Sequence, residues 1–459
     1  MNVIDTIAAI ATSSNNGGIS VIRISGEDSF HIIDKIYKSR TGNKVLSDFP
    51  SHTIHYGFIM DGESIVDEVI VLLMRGPSSY TREDVVEIDC HGGAFVSRAI
   101  LDLVVKNGAR VAEPGEFTKR AFLNGRIDLS QAEAVMDILN AKNKYALQSS
   151  VNTLRGDVKE AIVNLREALV RDIAYVEAAL DDPEHISLDG YPSKLADKTK
   201  DYLIKLNHIL SNCENGRILM EGVRTVIVGK PNVGKSSLLN LLLGQDRAIV
   251  TDIPGTTRDT LEEDVRIAEV FLKITDTAGI HNTEDKVEQI GIKKALKSLE
   301  TADFIINVVD SSNQLDEEDH ELLKLEAEIP GVVLLNKSDL NTVVIEEDIK
   351  QFTNRSIISI SAASGEGLNE LEELIRKMFY QDELSFNDEI YIHNARQKEA
   401  LRASIESLNK VLEGINMEMS EDFLSIDLTD AYEELGKIIG ETVEDDIIDT
   451  IFREFCMGK

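Results

Sequence analysis

Residues 225–243 read TVIVGKPNVGKSSLLNLLL, and this stretch decides the fold of the central part of the chain. The β-branched run Thr225–Val228 predicts a strand, and Ser237–Leu243 predicts a helix. Between them, Gly229–Ser236 has the pattern G-x-x-x-x-G-K-S. Glycines at these positions let backbone N–H groups point at phosphate oxygens, and the start of the following helix favours an anion. The stretch therefore predicts a P-loop that binds a nucleotide.

Two side chains of this loop have separate expected roles. Lys235 is expected to reach the β- and γ-phosphates, and the Ser236 hydroxyl is expected to bind Mg²⁺. The predicted phosphate contacts are Asn232, Val233, Gly234, Lys235, Ser236 and Ser237.

Guanine selectivity is predicted by a second motif, Asn336-Lys337-Ser338-Asp339, which follows the apolar run 332–335. The Asp339 carboxylate can accept hydrogen bonds from guanine N1–H and from its 2-amino group. Adenine lacks both donors, and an unpaired buried acceptor costs ~1–3 kcal/mol. Ser361-Ala362-Ala363 follows a further β-type run and is expected to form a second base loop. The order of these motifs predicts GTP and GDP as ligands; the base contacts are Asn336, Lys337, Asp339, Ser361, Ala362 and Ala363.

Two switch segments are predicted between the P-loop and the base loops. Asp276 is expected to contact Mg²⁺ through water, and the Gly279 N–H can meet the γ-phosphate. The first switch falls in TDIPGTTRD, residues 251–259, where Thr256 or Thr257 can bind Mg²⁺; we favour Thr257. These segments add eleven predicted contacts: Thr251, Asp252, Ile253, Pro254, Gly255, Thr256, Thr257, Asp276, Thr277, Ala278 and Gly279.

The group that activates water does not follow from the motifs. Ras-like enzymes use a glutamine after the switch glycine, but this chain has Ile280, which cannot polarise water. Glu288 is a candidate general base or water-positioning residue, although the residue pattern alone favours a solvated helix carboxylate. Arg258 could stabilise transition-state charge, or it could form a surface salt bridge.

Outside the nucleotide motifs, the apolar pattern changes along the chain. Strand patterns at Ile19–Ile24, Val69–Met74 and Val85–Cys90 alternate with helical ones, whereas 130–182 has no proline and apolar residues three and four apart. Helical patterns resume after Asp388. We predict a multidomain α/β plus all-α protein, in which a P-loop GTPase domain of Ras-like α/β fold is inserted into a helical domain; four consecutive domains are the alternative. The predicted parts are an N-terminal α+β domain (1–120), a helical domain made of two segments (121–217 and 381–459) and the inserted domain (218–380).

Composition narrows the possible partners. The net charge of −33 argues against nucleic-acid binding by bulk charge, because phosphate contacts need Lys and Arg. Residues 1–126 are closest to neutral, with 13 Lys and Arg against 16 Asp and Glu. No apolar run approaches the ~20 residues of a membrane span, so we expect no membrane partner.

The three cysteines are far apart, which argues against disulfides and zinc and fits a reducing cytoplasm. Cys456 could act as a nucleophile if its pKa were lowered, but an inert cysteine is the alternative.

Taken together, the motifs resemble the MnmE/TrmE family of tRNA modification GTPases over the whole chain. The residues that carry the resemblance are Gly17-Gly18 with Ile22–Gly26, Ser79–Glu87 with His91-Gly92-Gly93, Pro114–Asn124, Asp128–Ala134, TDIPGTTRD and Phe455–Lys459.

The resemblance implies ligands that spacing does not reveal. The N-terminal domain would bind a reduced folate (formyl- or methylene-tetrahydrofolate) and form a homodimer. Potassium would act in place of an arginine finger when the GTPase domains pair, and Glu288 would be catalytic. Folate contacts would fall on Arg23, Glu87, Arg126 and Lys459, and potassium ligands on Asn232 and the carbonyls of Thr251, Ile253 and Thr256.

The resemblance also implies a partner and a reaction. The flavoprotein MnmG (GidA) would join the protein in a heterotetramer or larger complex. Together they would build aminomethyl or carboxymethylaminomethyl groups at carbon five of the wobble uridine of certain tRNAs, with a one-carbon unit from methylene-tetrahydrofolate. Arg126 stands where the family has lysine and His281 where an arginine is usual. A regulatory or ribosome-assembly GTPase is the alternative function.

Overall fold

The computed structural model describes residues 5–12, 17–40, 42, 44–244, 262–267, 270–275, 299, 301–324, 329–381 and 390–459. Two compact units are present. One comprises Met1–Asn140, Ser150–Asn207 and Arg396–Lys459, and the other comprises Ala141–Ser149 and His208–Ala395. The boundaries at 121, 218 and 381 remain predictions.

Fifteen α-helices lie within the described residues. They are α1 Ser29–Ile36, α2 Ala94–Lys106, α3 Glu116–Leu123, α4 Leu129–Asn140, α5 Lys144–Arg155, α6 Asp157–Asp181, α7 Tyr191–Ser211, α8 Cys213–Glu221, α9 Lys235–Leu243, α10 Glu317–Lys324, α11 Glu346–Ile349, α12 Leu368–Arg376, α13 Ala395–Asn416, α14 Glu421–Ile439 and α15 Asp445–Arg453. No helix in the described ranges has both the length and the apolar character to cross a bilayer.

A seven-stranded sheet forms the N-terminal part of the first unit, in the order β3-β4-β5-β6-β2-β1-β7. Its strands are β1 Ile7–Ile10, β2 Ile19–Ser25, β3 Tyr37–Ser39, β4 Thr53–Asp61, β5 Ser64–Met74, β6 Val85–His91 and β7 Arg110–Val111. Neighbours pair antiparallel except β1 and β7, which are parallel. The strand predictions at β2, β5 and β6 are confirmed, with β5 starting five residues earlier than predicted.

The two faces of this sheet differ, as period-two alternation requires. Helices α1 and α2 pack on one face, where Ile22, Ile88 and Val71 are fully buried. On the other face, Ile54 of β4 is 68% exposed and Ile70 of β5 is 41% exposed. Part of the outer face, within the described residues, therefore carries exposed apolar side chains.

Helices make up the rest of the first unit. The predicted helical run 130–182 is three helices, because α5 begins only at Lys144 and Gly156 takes φ +109° before α6. Glu133 of α4 accepts a 2.9 Å bond from the guanidinium of Arg396. The same guanidinium donates to the Ile438 carbonyl at 3.3 Å, which satisfies an orphan acceptor at the end of α14.

An ion-pair cluster joins β1, β7 and α3 in the same unit. Arg110 lies 2.6 Å from both Asp5 and Glu116, and Arg120 bonds Glu116 at 3.0 Å and Asp5 at 2.7 Å. The bond from Arg110 lowers the pKa of Asp5. Burial alone would raise the pKa of Glu116, but bonds from Arg110, the Glu113 N–H and Arg120 lower it instead.

This cluster predicts a pH dependence of stability. The folded-state pKa values lie below the unfolded ones, so the pairs stabilise the fold above about pH 5 and are lost as the pH falls below about 4. Glu116→Gln should lower the free energy of unfolding by ~1–3 kcal/mol at pH 7, and this difference should shrink toward pH 3. Urea unfolding from pH 7 to pH 3 measures it. The exposed neighbour variant Glu113→Gln should follow the wild type; a constant deficit for Glu116→Gln would contradict the assignment.

The second unit contains a six-stranded sheet in the order β13-β12-β11-β8-β10-β9. Its strands are β8 Val223–Val228, β9 Glu262–Ile267, β10 Val270–Thr275, β11 Phe304–Asp310, β12 Gly331–Asn336 and β13 Ser356–Ser359. All neighbours are parallel except β9 and β10. In such sheets ligands bind beyond the carboxyl ends of the strands, so the loops that follow β8, β11, β12 and β13 meet at one edge.

Candidate functional site

The P-loop between β8 and α9 depends on two glycines. Gly234 takes φ +104°, and a Cβ there would lie 2.1 Å from Asn336 Nδ2. A Cβ at Gly229 would lie 2.4 Å from the Val308 carbonyl oxygen. Asn232 also takes a positive φ, +63°. The backbone therefore packs as closely as the motif predicts, and both positions require glycine because a Cβ would collide with neighbouring atoms.

The lysines of the loop are both held in place. Lys235 Nζ donates to the carbonyls of Gly229 and Lys230, each at 2.7 Å. Lys230 Nζ lies 2.6 Å from Asp316 and 2.7 Å from Asp319 at the start of α10. Lys235 is thus positioned over the loop backbone, at the start of the helix that a phosphate would face.

The base-reading motifs meet at the same edge of the sheet. Buried Asn336 donates from Nδ2 to the Val233 carbonyl at 2.8 Å and accepts at Oδ1 from the Ala362 N–H at 2.9 Å. Ser361 Oγ donates to Asp339 Oδ1 at 2.6 Å. One asparagine therefore links the P-loop to both base loops, and the Asp339 side chain is exposed while its bond from Ser361 orients it.

The predicted nucleotide contacts divide into two groups. The structure brings together those of the P-loop and the base loops, from Asn232 to Ser237 and from Asn336 to Ala363. The remainder lie outside the described residues; these are Thr251–Thr257, Arg258, Asp276–Gly279, Ile280, His281 and Glu288. Of the predicted Mg²⁺ ligands, Ser236 is placed in the first turn of α9.

The four predicted folate contacts lie in the first unit. Arg23 Nε donates to Glu87 Oε1 at 2.7 Å across β2 and β6, and its Nη1 donates to the Gly458 carbonyl at 3.3 Å. Arg126 and Lys459 line a cavity of about 390 Å³. The Lys459 carbonyl accepts from the Phe117 N–H at 3.1 Å, so the C-terminal tail is docked beside α3.

Two residues that the sequence analysis did not name as folate contacts, Tyr80 and Gln131, also line this cavity. The Tyr80 ring lies under both guanidinium groups, 5.4 Å from Arg23 Cζ and 4.8 Å from Arg126 Cζ. Gln131 lines the cavity with Tyr80, beside the apolar residues Ile127, Val135, Ile138, Leu139 and Leu154. Both stand inside quoted motifs, at Ser79–Glu87 and Asp128–Ala134. An aromatic residue among predicted cation positions is the signal that could have identified Tyr80.

Family models and known proteins match this chain over nearly its whole length. Residues 6–126 match the family model described as GTP-binding protein TrmE N-terminus, and residues 129–456 match the MnmE helical domain. A protein named tRNA modification GTPase MnmE from Lachnoclostridium phytofermentans is 54% identical over 99% of each chain. One of the same name from Clostridioides difficile is 47% identical over the full length of both.

The chain belongs to the MnmE family. The resemblance drawn from the motifs is confirmed, and so is the predicted combination of an N-terminal α+β domain, a helical domain and a P-loop α/β domain. The N-terminal MnmE match includes Arg23, Glu87 and Arg126, while Lys459 lies three residues beyond the helical match. At the position where we expected lysine, Arg126 presents a planar guanidinium to the Tyr80 ring, which an ammonium could not stack in the same way.

Proposed function

We propose that this protein is a GTP-hydrolysing enzyme of tRNA modification. The observation that carries the proposal is that Asn336 links the P-loop to Ala362, beside the Ser361–Asp339 bond, so phosphate and guanine would be bound by one connected site. Curated relatives over the full length of the chain are named tRNA modification GTPases.

We assign the roles within the GTPase site as follows. Backbone N–H groups of Asn232–Ser237 and the Lys235 ammonium bind the phosphates, and Ser236 with Thr257 holds Mg²⁺. Mg²⁺ held by these residues, and K⁺ held by Asn232 and the carbonyls of Thr251, Ile253 and Thr256, would supply positive charge against the γ-phosphate. Glu288 positions the attacking water, in place of the glutamine that Ile280 replaces. Asp339 accepts from the guanine edge.

The reaction that we propose for the whole protein is the one typical of the family. With the flavoprotein MnmG, it installs an aminomethyl or carboxymethylaminomethyl group at carbon five of the wobble uridine of certain tRNAs, in the cytoplasm. The direct test incubates the full chain with the flavoprotein, tRNA, GTP and methylene-tetrahydrofolate, and analyses wobble nucleosides by mass spectrometry. Unmodified uridine in the complete mixture would contradict the proposal.

A homodimer through the N-terminal sheet is part of this proposal. The outer face of the sheet carries the exposed side chains of Ile19, Ile54, Tyr56 and Ile70. Ile54, Tyr56 and Ile70 are neighbours on this face, and exposed apolar patches of this kind are typical of protein interfaces. In an isologous dimer the same face of a second copy would cover it. Sedimentation of Ile54→Lys with Ile70→Lys should show monomers where the wild type is dimeric.

Potassium dependence follows from the proposed role of Asn232. With Asn232→Ala, we expect the rate advantage of K⁺ over Na⁺ to disappear, because the side-chain oxygen is the one potassium ligand we assign outside the backbone. In the wild type, GTP hydrolysis should be about 10-fold or more faster in K⁺ than in Na⁺. A positive charge beside the transferred phosphoryl group stabilises the negative charge of the transition state. Steady-state phosphate release in KCl and in NaCl measures it. Equal wild-type rates in both salts would remove potassium from the mechanism.

Reduced folate is proposed to occupy the cavity beside Tyr80. The aromatic rings of the folate would pack against the apolar side chains of the cavity. Its glutamate carboxylates would form ion pairs with Arg126 and Lys459. Arg126→Met should weaken 5-formyltetrahydrofolate binding about 10-fold or more, as loss of a charge-assisted bond predicts. Calorimetric titration measures it, with the exposed Arg98→Met on α2 as the unaffected control. Absence of folate binding to the wild type would favour the regulatory GTPase instead.

A further inference from the structure

The lysine of the base-reading loop has an unusual conformation and an anchored side chain. Lys337 stands between Asn336 and Asp339 and takes φ +65°, which residues with a Cβ rarely adopt. A strained backbone persists only when its surroundings hold it. The Lys337 ammonium lies 2.6 Å from Asp310 Oδ2, and the Leu340 N–H donates to the Lys337 carbonyl at 3.0 Å.

Asp310 is itself fixed by a turn at the end of β11. Its Oδ1 accepts from the Ser312 N–H at 2.9 Å and the Ser312 hydroxyl at 2.6 Å, and its Oδ2 also accepts from Asn313 Nδ2 at 2.9 Å. Burial alone would raise the pKa of this carboxyl, but the bonds from Lys337 and Ser312 lower it to about 2. Asp310 is therefore ionised at neutral pH, and the bonds from Ser312 and Asn313 orient it independently of Lys337.

The pairing of β11 with β12 places the Asp310 turn directly beside the base loop. Asp310 and Asn336 are register partners at the ends of the parallel strands β11 and β12. The Ser311 N–H donates to the Asn336 carbonyl at 2.9 Å. The turn after β11 therefore contacts the base-reading loop at two points. One is the backbone hydrogen bond to Asn336, and the other is the ion pair with Lys337.

We propose that Asp310 is a positioning residue for guanine-nucleotide binding: the anchored carboxylate holds Lys337, and with it Asp339, in the geometry that reads the base. The inference rests on the proposed GTPase function and adds a residue to it. Asp310 does not touch the nucleotide in this scheme, and it acts on affinity through the loop rather than on the chemical step.

The same strand offers a matched control at its other end. Asp303 precedes β11, pairs with Arg217 at 2.6 Å and accepts from the Arg224 N–H at 2.9 Å. Its side chain is 18% exposed, against 11% for Asp310. Substituting either aspartate by asparagine removes one charged partner of a similar ion pair, but only Asp310 faces the base loop.

The experiment measures binding of N-methylanthraniloyl-GDP to the full chain by fluorescence, together with thermal unfolding. We expect Asp310→Asn to weaken binding about 5–10-fold, as loss of one partly exposed charge-assisted bond predicts, with the single-turnover hydrolysis rate at saturating GTP unchanged. Asp303→Asn should lower the melting temperature by a similar amount and leave binding at the wild-type value. If the two variants weaken binding equally, Asp310 acts only through general stability and the proposal is wrong.

A double-mutant cycle tests whether Asp310 affects nucleotide affinity through Lys337. In a Lys337→Met background, Asp310→Asn should cause no further loss, because the residue acts through that lysine. A full additional loss would overturn the proposal. Ser312→Ala, which removes one bond to Asp310 and keeps every charge, should weaken binding about 2–3-fold and serves if Asp310→Asn does not fold. Wild-type protein that binds no guanine nucleotide would refute the GTPase function itself, whereas normal binding by both Asp310→Asn and Ser312→Ala would refute this inference alone.

Discussion

Asp339→Asn is expected to change the nucleotide preference from guanine to xanthine. In the wild type, the carboxylate accepts from N1–H and from the 2-amino group of guanine. An asparagine keeps one acceptor but turns its amide N–H₂ toward the 2-amino group, so one hydrogen bond is lost and two donors face each other. Xanthine has a carbonyl at carbon two, which accepts from that amide. We expect GTP affinity to fall about 100-fold or more, while xanthosine triphosphate gains a matching pair.

Competition against N-methylanthraniloyl-GDP by GTP, xanthosine triphosphate and ATP measures this change. The matched control is Asp348→Asn, which removes the carboxylate that accepts from the Ile345 N–H at 3.0 Å at the start of α11 in the same unit. That variant should keep the wild-type order of preference. If Asp339→Asn still prefers GTP to xanthosine triphosphate, then Asp339 does not contact the base edge, and the assignment of the 336–339 loop is wrong.

The motifs predicted the nucleotide site because each is local. Gly229–Ser236 needs only a strand, a turn and a helix in sequence, and Asn336–Asp339 needs only a preceding strand. Once the sheet is parallel, its topology brings such loops to one edge without further information. The spacing therefore sufficed to predict that Asn336 and Asp339 lie in a loop beside the P-loop, although not that Asn336 bonds to Val233.

The contacts that the sequence did not reveal depend on strand order and on the packing of distant segments. Asp310 meets Lys337 only because β11 and β12 are neighbours. Arg23 meets the Gly458 carbonyl across 435 residues of chain, which no local pattern encodes. The last part of the helical pattern predicted after Asp388 is two helices, α14 and α15, because Gly440 takes φ +86° between them. Gly440 packs so closely on Leu129 that a Cβ would lie 2.7 Å from the Leu129 side chain.

Gly234→Ala is expected to weaken nucleotide binding strongly, mainly because the added methyl group collides with Asn336. The added methyl would lie 2.1 Å from Asn336 Nδ2, a distance that real Cβ contacts do not reach. Asn336 would have to move, breaking its bond to the Val233 carbonyl and disturbing its bond to the Ala362 N–H. The variant also forces alanine into φ +104°, which strains the turn that starts α9. The phosphate cradle and the base loops would therefore be disrupted by one methyl group.

We expect the dissociation constant for GDP to rise by a factor of 100 or more, on the order of 3 kcal/mol, together with a lower melting temperature for the second unit. Gly365→Ala separates the two causes. It places alanine at φ +81°, but its Cβ meets only Leu241 Cδ1 at 3.7 Å, an ordinary contact. Backbone strain without a collision should cost some stability and leave GDP affinity within about 3-fold of the wild type. If Gly365→Ala and Gly234→Ala lose GDP affinity equally, the effect is strain alone, and the Asn336 bridge does not hold the nucleotide site together.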